Sequence, residues 1–401
     1  MRILHVAPRL SGGGLEVYLH EAIRSLAALG HVSAVLHAHG GGAPPAGAAA
    51  RVHLAPGVTD IGCPDLARSL DRAREALRAE APDVILLHGA TQHRLVRLLA
   101  GAAPLVRFVH DTHCLCPGGG KTLRRGTASG RPQPCPHALG WACLGRAWVH
   151  RCTSRDPRVA LPLLAHLRAN LALYRRGAAL ACPSAFIRAL LVDNGFDPGR
   201  ITVLPHSTVP PARPGPAPGG QGPVALYAGR VHWGKGPGVL LRALALLPPE
   251  ATLDVAGDGP DLQGVKTLAR DLGLAERVRF HGWVDRAALD ALYSRAAAVV
   301  VPSLVPEAFC MTGIEAMAHG RPVVGADCGA VGEWLEHGVT GWLVPPGDAR
   351  ALADRLRDVL FSTELAKVMG TAGRERVERQ FTPDAHACGL VRLLERTARG
   401  G

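Results

Sequence analysis

Pro306-Glu307-Ala308-Phe309-Cys310-Met311-Thr312-Gly313-Ile314-Glu315-Ala316-Met317-Ala318-His319-Gly320-Arg321-Pro322-Val323-Val324-Gly325 holds a loop, a helix and the start of a strand in one run. It follows an apolar strand that ends at Val301-Pro302-Ser303, and Gly320 supplies the helix stop. The amides of Phe309, Cys310, Met311 and Thr312 open the helix, where free donors and the helix dipole favour a phosphate. Glu307 precedes this nest, and Glu315 is expected in the first helical turn. The plainer alternative is a Thr-x-x-Glu capping box made by Thr312 and Glu315, with Glu307 a solvated loop acid.

Outward from this stretch the chain alternates short apolar runs with helical patterns, the signature of parallel sheets with crossover helices. One series has strands expected at 224–228, 253–256, 278–281, 298–301 and 322–325. An earlier series has them at 3–7, 32–37, 52–55, 84–88, 105–109, 179–182 and 201–204. A helix is expected over 15–29 from Leu15, Leu19, Ile23, Leu26 and Leu29. Between the two series, Pro210 to Gly220 is too rich in Pro and Gly to continue either element. The expected fold class is therefore α/β, two Rossmann-like doubly wound domains with a cleft between the carboxyl ends of their strands. The expected boundaries are 1–209 for the first domain, 210–222 for the linker, 223–380 for the second domain and 381–401 for a terminal helix. Segments 39–50 and 112–157 break the pattern and are read as loops.

The 401 residues suit two domains, and 47% hydrophobic against 19% charged excludes a disordered chain. The opening Met1-Arg2-Ile3-Leu4-His5-Val6-Ala7 meets Pro8 and Arg9 too early for a signal-peptide core and reads as a buried strand. No stretch reads as a membrane span, and ten cysteines without a secretory signal point to a reducing compartment, so the expected location is the cytoplasm. The net charge of +12 rests on scattered arginines, and with 4% aromatic residues it argues against a nucleic-acid partner. An anionic membrane surface stays a candidate partner, which would place the protein peripherally at the inner face of the membrane.

Arg230 and Lys235, on a strand-to-helix turn with Gly229, Gly234 and Gly236, combine a guanidinium fork with a point charge and suit a diphosphate; two exposed loop cations are the alternative. Gly12-Gly13-Gly14 joins the first strand to the first helix, where backbone can approach an anion. His110-Asp111 ends a strand and is either functional or a polar strand end or cap. Gly282-Trp283-Val284 follows another strand, with Trp283 flanking a ligand or simply core. The segments 256–260 and 341–348 read as turns.

The run from Glu307 to Gly325 resembles the Glu-x7-Glu signature of retaining glycosyltransferases of family 4, including its Glu-Ala-Met-Ala-x-Gly-x-Pro-Val-Val continuation. Gly229-Arg230 with Lys235-Gly236, the segments around 257, 282 and 341, and the early glycine loop resemble further family elements in the same order. The resemblance implies a GT-B hexosyl- or glycosyltransferase of polysaccharide or glycolipid biosynthesis, its domains facing each other across a cleft and its last helix crossing back to the first domain. It implies a nucleotide-diphosphate sugar donor and a hydroxyl acceptor that is a glycan, a lipid-linked sugar or a small molecule. It further implies a metal-independent, front-face retaining mechanism with no cofactor. Arg230, Lys235 and the amides near Cys310 would then stabilise the leaving diphosphate, while Gly12, Gly13 and Gly14 face the donor phosphates. Glu315 would hold the ribose, Glu307 and His110 the donor sugar, Trp283 and Val284 would lie near the base, and Asp111 near the acceptor. Where Cys310 stands the family has Gly, so a side chain here narrows the donor pocket or changes its amide geometry. A GT-B sugar-nucleotide epimerase or hydrolase, and a catalytically silent nucleotide-sugar-binding scaffold, are the alternative readings.

Cys114, Cys116, Cys135, Cys143 and Cys152 crowd the 112–157 insertion. Four of them would satisfy a tetrahedral zinc, but Cys116-x18-Cys135-x7-Cys143-x8-Cys152 matches no common zinc pattern. Some members of family 4 carry a similar His-Asp-x4-Cys-Pro stretch followed by further cysteines. Structural zinc, an iron–sulfur cluster and unligated thiols stay open there, and no metal is assigned to the site.

Overall fold

The computed structural model describes residues 1–10, 13–40, 50–123, 132–211 and 222–400. It divides into two compact units, one built from Met1–Gly126, Cys135–His206 and Pro383–Gly401, the other chiefly from Ser207–Thr382. Residues 41–49 of the expected early loop and 212–221 of the expected linker lie outside the described residues.

The first unit is a seven-stranded parallel sheet in the order Arg51–Leu54, Val32–His37, Arg2–Ala7, Val84–Leu87, Leu105–Phe108, Ala179–Cys182, Ile201–Val203. Its central strands are nearly continuous apolar runs because helices cover both faces of a parallel sheet. The helix Gly14–Ala28 buries Tyr18, Leu19, Ala22, Ile23 and Leu26 at helical spacing. Leu15 and Leu29, expected on the same stripe, lie off it, and Leu29 is exposed just past the helix end. The terminal helix Pro383–Ala398 adds Leu390, Leu393 and Leu394 to a cluster with Ile3, Tyr18, Val84, Leu86 and Phe108, so it completes this unit's core. Each such leucine contributes roughly 1.5–3 kcal/mol on burial. The 112–157 segment is not wholly loop: Ala142–His150 is helical and Pro157 opens the long helix Pro157–Gly177, with Asp156 accepting a capping bond from the Arg158 amide.

The second unit is a six-stranded parallel sheet in the order Val278–Gly282, Thr252–Ala256, Val224–Ala228, Ala298–Val301, Val323–Ala326, Gly341–Val344. The last strand corrects the expected turn at 341–348. As an edge strand it pairs only with Val323–Ala326, so Trp342 and Leu343 stay half-buried and the segment lacks the long apolar run of a central strand. Alternate residues feed two cores. Ala225, Tyr227 and Val300 pack with the helices Pro237–Ala245 and Ala349–Leu360, whereas Leu226, Val299 and Val301 pack with Arg286–Arg295 and Met311–Ala318.

Trp334 locks the second of these cores. It is fully buried, its indole Nε1 donates to the Phe309 carbonyl, and a Cβ on Gly313 would stand 2.0 Å from its ring. The helix Met311–Ala318 can lie this close only because Gly313 has no side chain. Gly313→Ala is expected to lower stability by about 1–3 kcal/mol through overpacking, read as a lower urea midpoint at unchanged m-value.

Candidate functional site

In the second unit, the turn after Val224–Ala228 brings Lys235 to Glu307, which follows the neighbouring strand Ala298–Val301. The Lys235 ammonium donates to both Glu307 oxygens at 2.8 Å, and the Ser303 hydroxyl donates to Oε1 of the same carboxylate. Burial is the largest single influence and opposes the lysine charge, but the charge and hydrogen bonds of Glu307, together with Cys310 and Cys328, hold the ammonium above its ordinary range. Two glycines allow the geometry. Gly236 has φ +71° and its Cβ would stand 1.8 Å from the Pro302 carbonyl oxygen, while Gly329 has φ +70° and its Cβ would stand 2.4 Å from the Glu307 carbonyl oxygen.

Past Glu307, the helix Met311–Ala318 begins at Cys310, which holds φ 75° and gives no side-chain cap. The capping box of the plainer alternative is not formed. The Thr312 hydroxyl instead donates to the Ala228 carbonyl at 3.1 Å, tying the helix start to the first strand of the sheet. Glu315 lies in the second turn rather than the first, because the helix opens at Met311. Its carboxylate accepts from the Arg286 guanidinium at 2.9 Å and the Tyr293 hydroxyl at 3.0 Å. Burial, then the Glu315 charge, raises the Tyr293 phenol far above its usual range, so it stays a donor. Phe309 turns its ring into the core, edge to face with Phe381. The Cys310 thiol is pushed up to about 12 by burial and by Glu307.

Not every expected residue joins this cluster. Arg230 is exposed beyond Gly229 and engages no carboxylate among the described residues, although its carbonyl accepts from the Tyr227 hydroxyl at 2.8 Å. Trp283 is 73% exposed, which removes the core alternative. Val284 lines a cavity of about 490 Å³ with His281, Leu292 and Arg295, and that cavity includes none of Lys235, Glu307 and Glu315.

In the first unit, Gly12 lies outside the described residues, Gly13 is the extended residue before the helix, and Gly14 opens it without a side-chain cap. Glu16 already occupies that first turn, its carboxyl raised chiefly by burial. Asp111 accepts from the His113 amide at 2.9 Å, a local turn of the kind the cap alternative described. His110 enters a buried aromatic cluster: its ring stacks on Phe108 at 4.3 Å and meets Tyr18 edge-on at 4.6 Å. Its Nε2 pairs with His88 Nδ1 at 3.0 Å. Among the described residues no group of three or more His, Cys, Asp and Glu side chains is placed to hold a metal ion.

Sequence reasoning missed Ser303, Arg286, Tyr293 and His88. Ser303 and His88 each follow a strand closely, a position the sequence does show. Arg286 and Tyr293 reach Glu315 only because the helix Arg286–Arg295 packs beside Met311–Ala318, which no local pattern reveals.

Two family models cover most of the chain: Glycosyltransferase Family 4 over residues 12–208 and Glycosyl transferases group 1 over 212–376. A glycogen synthase of Mycobacterium tuberculosis is 32% identical over 216 residues, covering 52% of this chain and 49% of that protein. A D-inositol 3-phosphate glycosyltransferase of Jonesia denitrificans is 36% identical over 188 residues, covering 44% of each. The chain thus spans about half the length of these curated relatives. Among solved structures, HepE of Anabaena in complex with UDP and glucose aligns with TM-score 0.74 at 20% identity, covering 98% of this chain and 99% of that one. A sucrose-phosphate synthase of Thermosynechococcus elongatus aligns with TM-score 0.75 at 21% identity over the whole of both chains.

The raised Cys310 thiol should stay protonated at neutral pH. Iodoacetamide at pH 7.5 is expected to alkylate exposed Cys388 and spare Cys310 in the folded protein, with peptide mass spectrometry as the readout.

Proposed function

The chain belongs to glycosyltransferase family 4 and has the two Rossmann-like domains of the GT-B fold, and from the charges in its second unit we propose that it moves a sugar from a nucleotide-diphosphate donor to a hydroxyl acceptor. The observation that carries this reading is the Lys235–Glu307–Ser303 cluster beside a helix N-terminus that no side chain caps. A departing diphosphate needs fixed positive potential where its charge develops. Arg230, the third N–H of Lys235 and the amides at Met311 and Thr312 supply it, in the role a divalent ion would otherwise fill. Glu315 spends one lone pair of each oxygen on Arg286 and Tyr293, which leaves one on each for the ribose hydroxyls. Glu307, held by Lys235 and Ser303, accepts from the donor sugar's hydroxyls, and His110 is a further hydrogen-bonding group for that sugar in this reading. The mechanism is retaining and front-face, with the acceptor hydroxyl assisted by the leaving phosphate. HepE was solved with UDP, which makes UDP-sugars the first donors to try.

The acceptor lies on or near a membrane in this reading. Trp141, Trp148, Val149, Val159 and Leu161 are exposed around the helix Ala142–His150 and the start of Pro157–Gly177, among Arg146, Arg151, Arg155 and Arg158. The Arg168 guanidinium lies 4.6 Å from the Trp141 ring and that of Arg155 5.6 Å from Trp148. Exposed tryptophans among arginines suit an anionic lipid interface, and among the described residues no helix is long and apolar enough to cross a bilayer.

Two experiments test these readings. UDP-, GDP- and ADP-sugars screened by thermal shift without added metal should give a stabilising hit with one nucleotide, and Lys235→Ala and Glu315→Ala should each weaken it about 10- to 100-fold. No shift with any of them, in a protein that melts cooperatively, would favour a non-catalytic role or a donor pocket closed by Cys310. The protein should also sediment with phosphatidylserine vesicles at low salt, be released by 0.5 M salt, and bind at least severalfold more weakly as Trp148→Ser.

A further inference from the structure

Behind His110 runs a line of imidazoles that the transfer reaction does not account for. His5 lies in the middle of the strand Arg2–Ala7, paired in register with Val35 and Leu86, and is fully buried. Its Nδ1 stands 3.0 Å from His88 Nε2, and its Nε2 stands 3.3 Å from the Ser33 hydroxyl. His88 follows the adjacent strand Val84–Leu87, is also buried, and through Nδ1 meets His110 Nε2 at 3.0 Å. Ser33, His5, His88 and His110 therefore form one continuous hydrogen-bonded file across neighbouring strands. Its open end is His110 Nδ1, which is shielded from water and has no hydrogen-bond partner among the described residues.

A neutral imidazole carries one N–H and one lone pair, so two such bonds in series couple the tautomers of three rings. If His110 Nε2 accepts from His88, then His88 Nε2 accepts from His5, His5 Nε2 accepts from Ser33, and His110 Nδ1 carries a proton. If the file runs the other way, His110 Nδ1 offers a lone pair and Ser33 accepts. Mixed states would set two N–H groups or two lone pairs face to face inside the core, which buried polar groups avoid.

Burial holds the rings neutral. It lowers His5 to about 3, and it lowers His88 and His110 well below the ordinary imidazole value, helped by the other rings and by Arg107. The groups facing His110 are His88, His206, His386, Arg107 and Tyr18. None of them is a carboxylate that would favour its charged form.

We propose that Ser33, His5 and His88 are positioning residues for His110, a hydrogen-bonded wire that holds its ring in one tautomer and presents Nδ1 to a hydroxyl of the donor sugar. The proposal rests on the transferase reading for its ligand and on the geometry of the first unit for the wire. Phe108 and Tyr18 fix the ring plane, and the bond to His88 fixes rotation within that plane. A hydroxyl can donate or accept, so the wire determines which hydrogen-bond sense the sugar meets, and it does so without placing a charge beside the glycosidic bond.

Long-range proton–nitrogen NMR of histidine-labelled protein, without substrate, tests the wire. His5, His88 and His110 should each show one neutral tautomer, all of the same sense, from pH 6 to pH 9. In Ser33→Ala an N–H on His5 Nε2 would point at a methyl group, so all three rings should carry their proton on Nδ1. Rings of opposite sense, or mixed tautomers at His110 in both proteins, would overturn the proposal. Steady-state kinetics test its use. His88→Phe keeps an aromatic ring but cuts the wire, and should lower kcat at least tenfold with the donor KM within about twofold; His88→Asn, which restores a polar atom near Nδ1, should recover part of the loss. A folded His88→Phe with wild-type kcat, or one that loses only thermal stability, would also overturn it. Should His88→Phe fail to fold, the ring tautomers of the wild type and of Ser33→Ala decide the matter, because that substitution alters only the far end of the file. Locked tautomers in a wild-type protein that turns over no nucleotide sugar would instead count against the transferase reading.

Discussion

The ion pair between Lys235 and Glu307 governs the carboxyl edge of the second sheet. Each residue follows one of two adjacent parallel strands, Val224–Ala228 and Ala298–Val301, and both oxygens of the carboxylate lie 2.8 Å from the one ammonium. Parallel strands end with their carbonyls and following loops on the same side, so charge gathers there unless opposite signs are brought together. The pair solves that locally. Its geometry depends on Gly236 and Gly329, whose positive φ and missing side chains let the Pro302 and Glu307 carbonyls approach. Removing Lys235 would leave the buried Glu307 carboxylate uncompensated, which costs more than the pair itself contributes.

From this pair the rest of the edge follows. Thr312 ties the helix start to Ala228, Trp334 ties the loop at Phe309 to the core under Gly313, and Arg286 with Tyr293 holds Glu315. Cys310, at the start of this helix, is a strained point, a non-glycine residue in the left-handed region. The helix N-terminus is thereby held by Thr312 against Ala228 and by Trp334 against Phe309 and Gly313, while no side chain caps it. In the proposed transfer reaction that arrangement would be preorganised for the leaving diphosphate, its donors being in place before a ligand arrives.

Around His110 the first unit is tied together by neutral polar contacts. His386 on the terminal helix donates through Nδ1 to the Pro205 carbonyl at 2.7 Å, so its Nε2 must accept from the Tyr18 hydroxyl at 3.0 Å. Tyr18 in turn packs against His110, Phe108 and His206. The terminal helix thus reaches the residues around His110 through one tyrosine, besides burying its leucines in the core below.

Periodicity and punctuation in the sequence determined the α/β class, nearly every strand and the helix Met311–Ala318 with its stop at Gly320, because strands and helix ends are written in local patterns of apolar residues, glycine and proline, whereas Glu307 and Glu315 stood out only through the family resemblance. The edge strand Gly341–Val344 and the helix Ala142–His150 escaped it, since a half-exposed edge and a short helix carry few apolar residues in register. Only the tertiary structure decided that Lys235 faces Glu307, that Arg286 and Tyr293 hold Glu315, and that Ser33, His5, His88 and His110 line up. Those partners lie between 22 and 83 positions apart in the chain. Their meeting depends on which strands lie side by side and which helices pack together, and that is set by the whole sheet rather than by any segment of it.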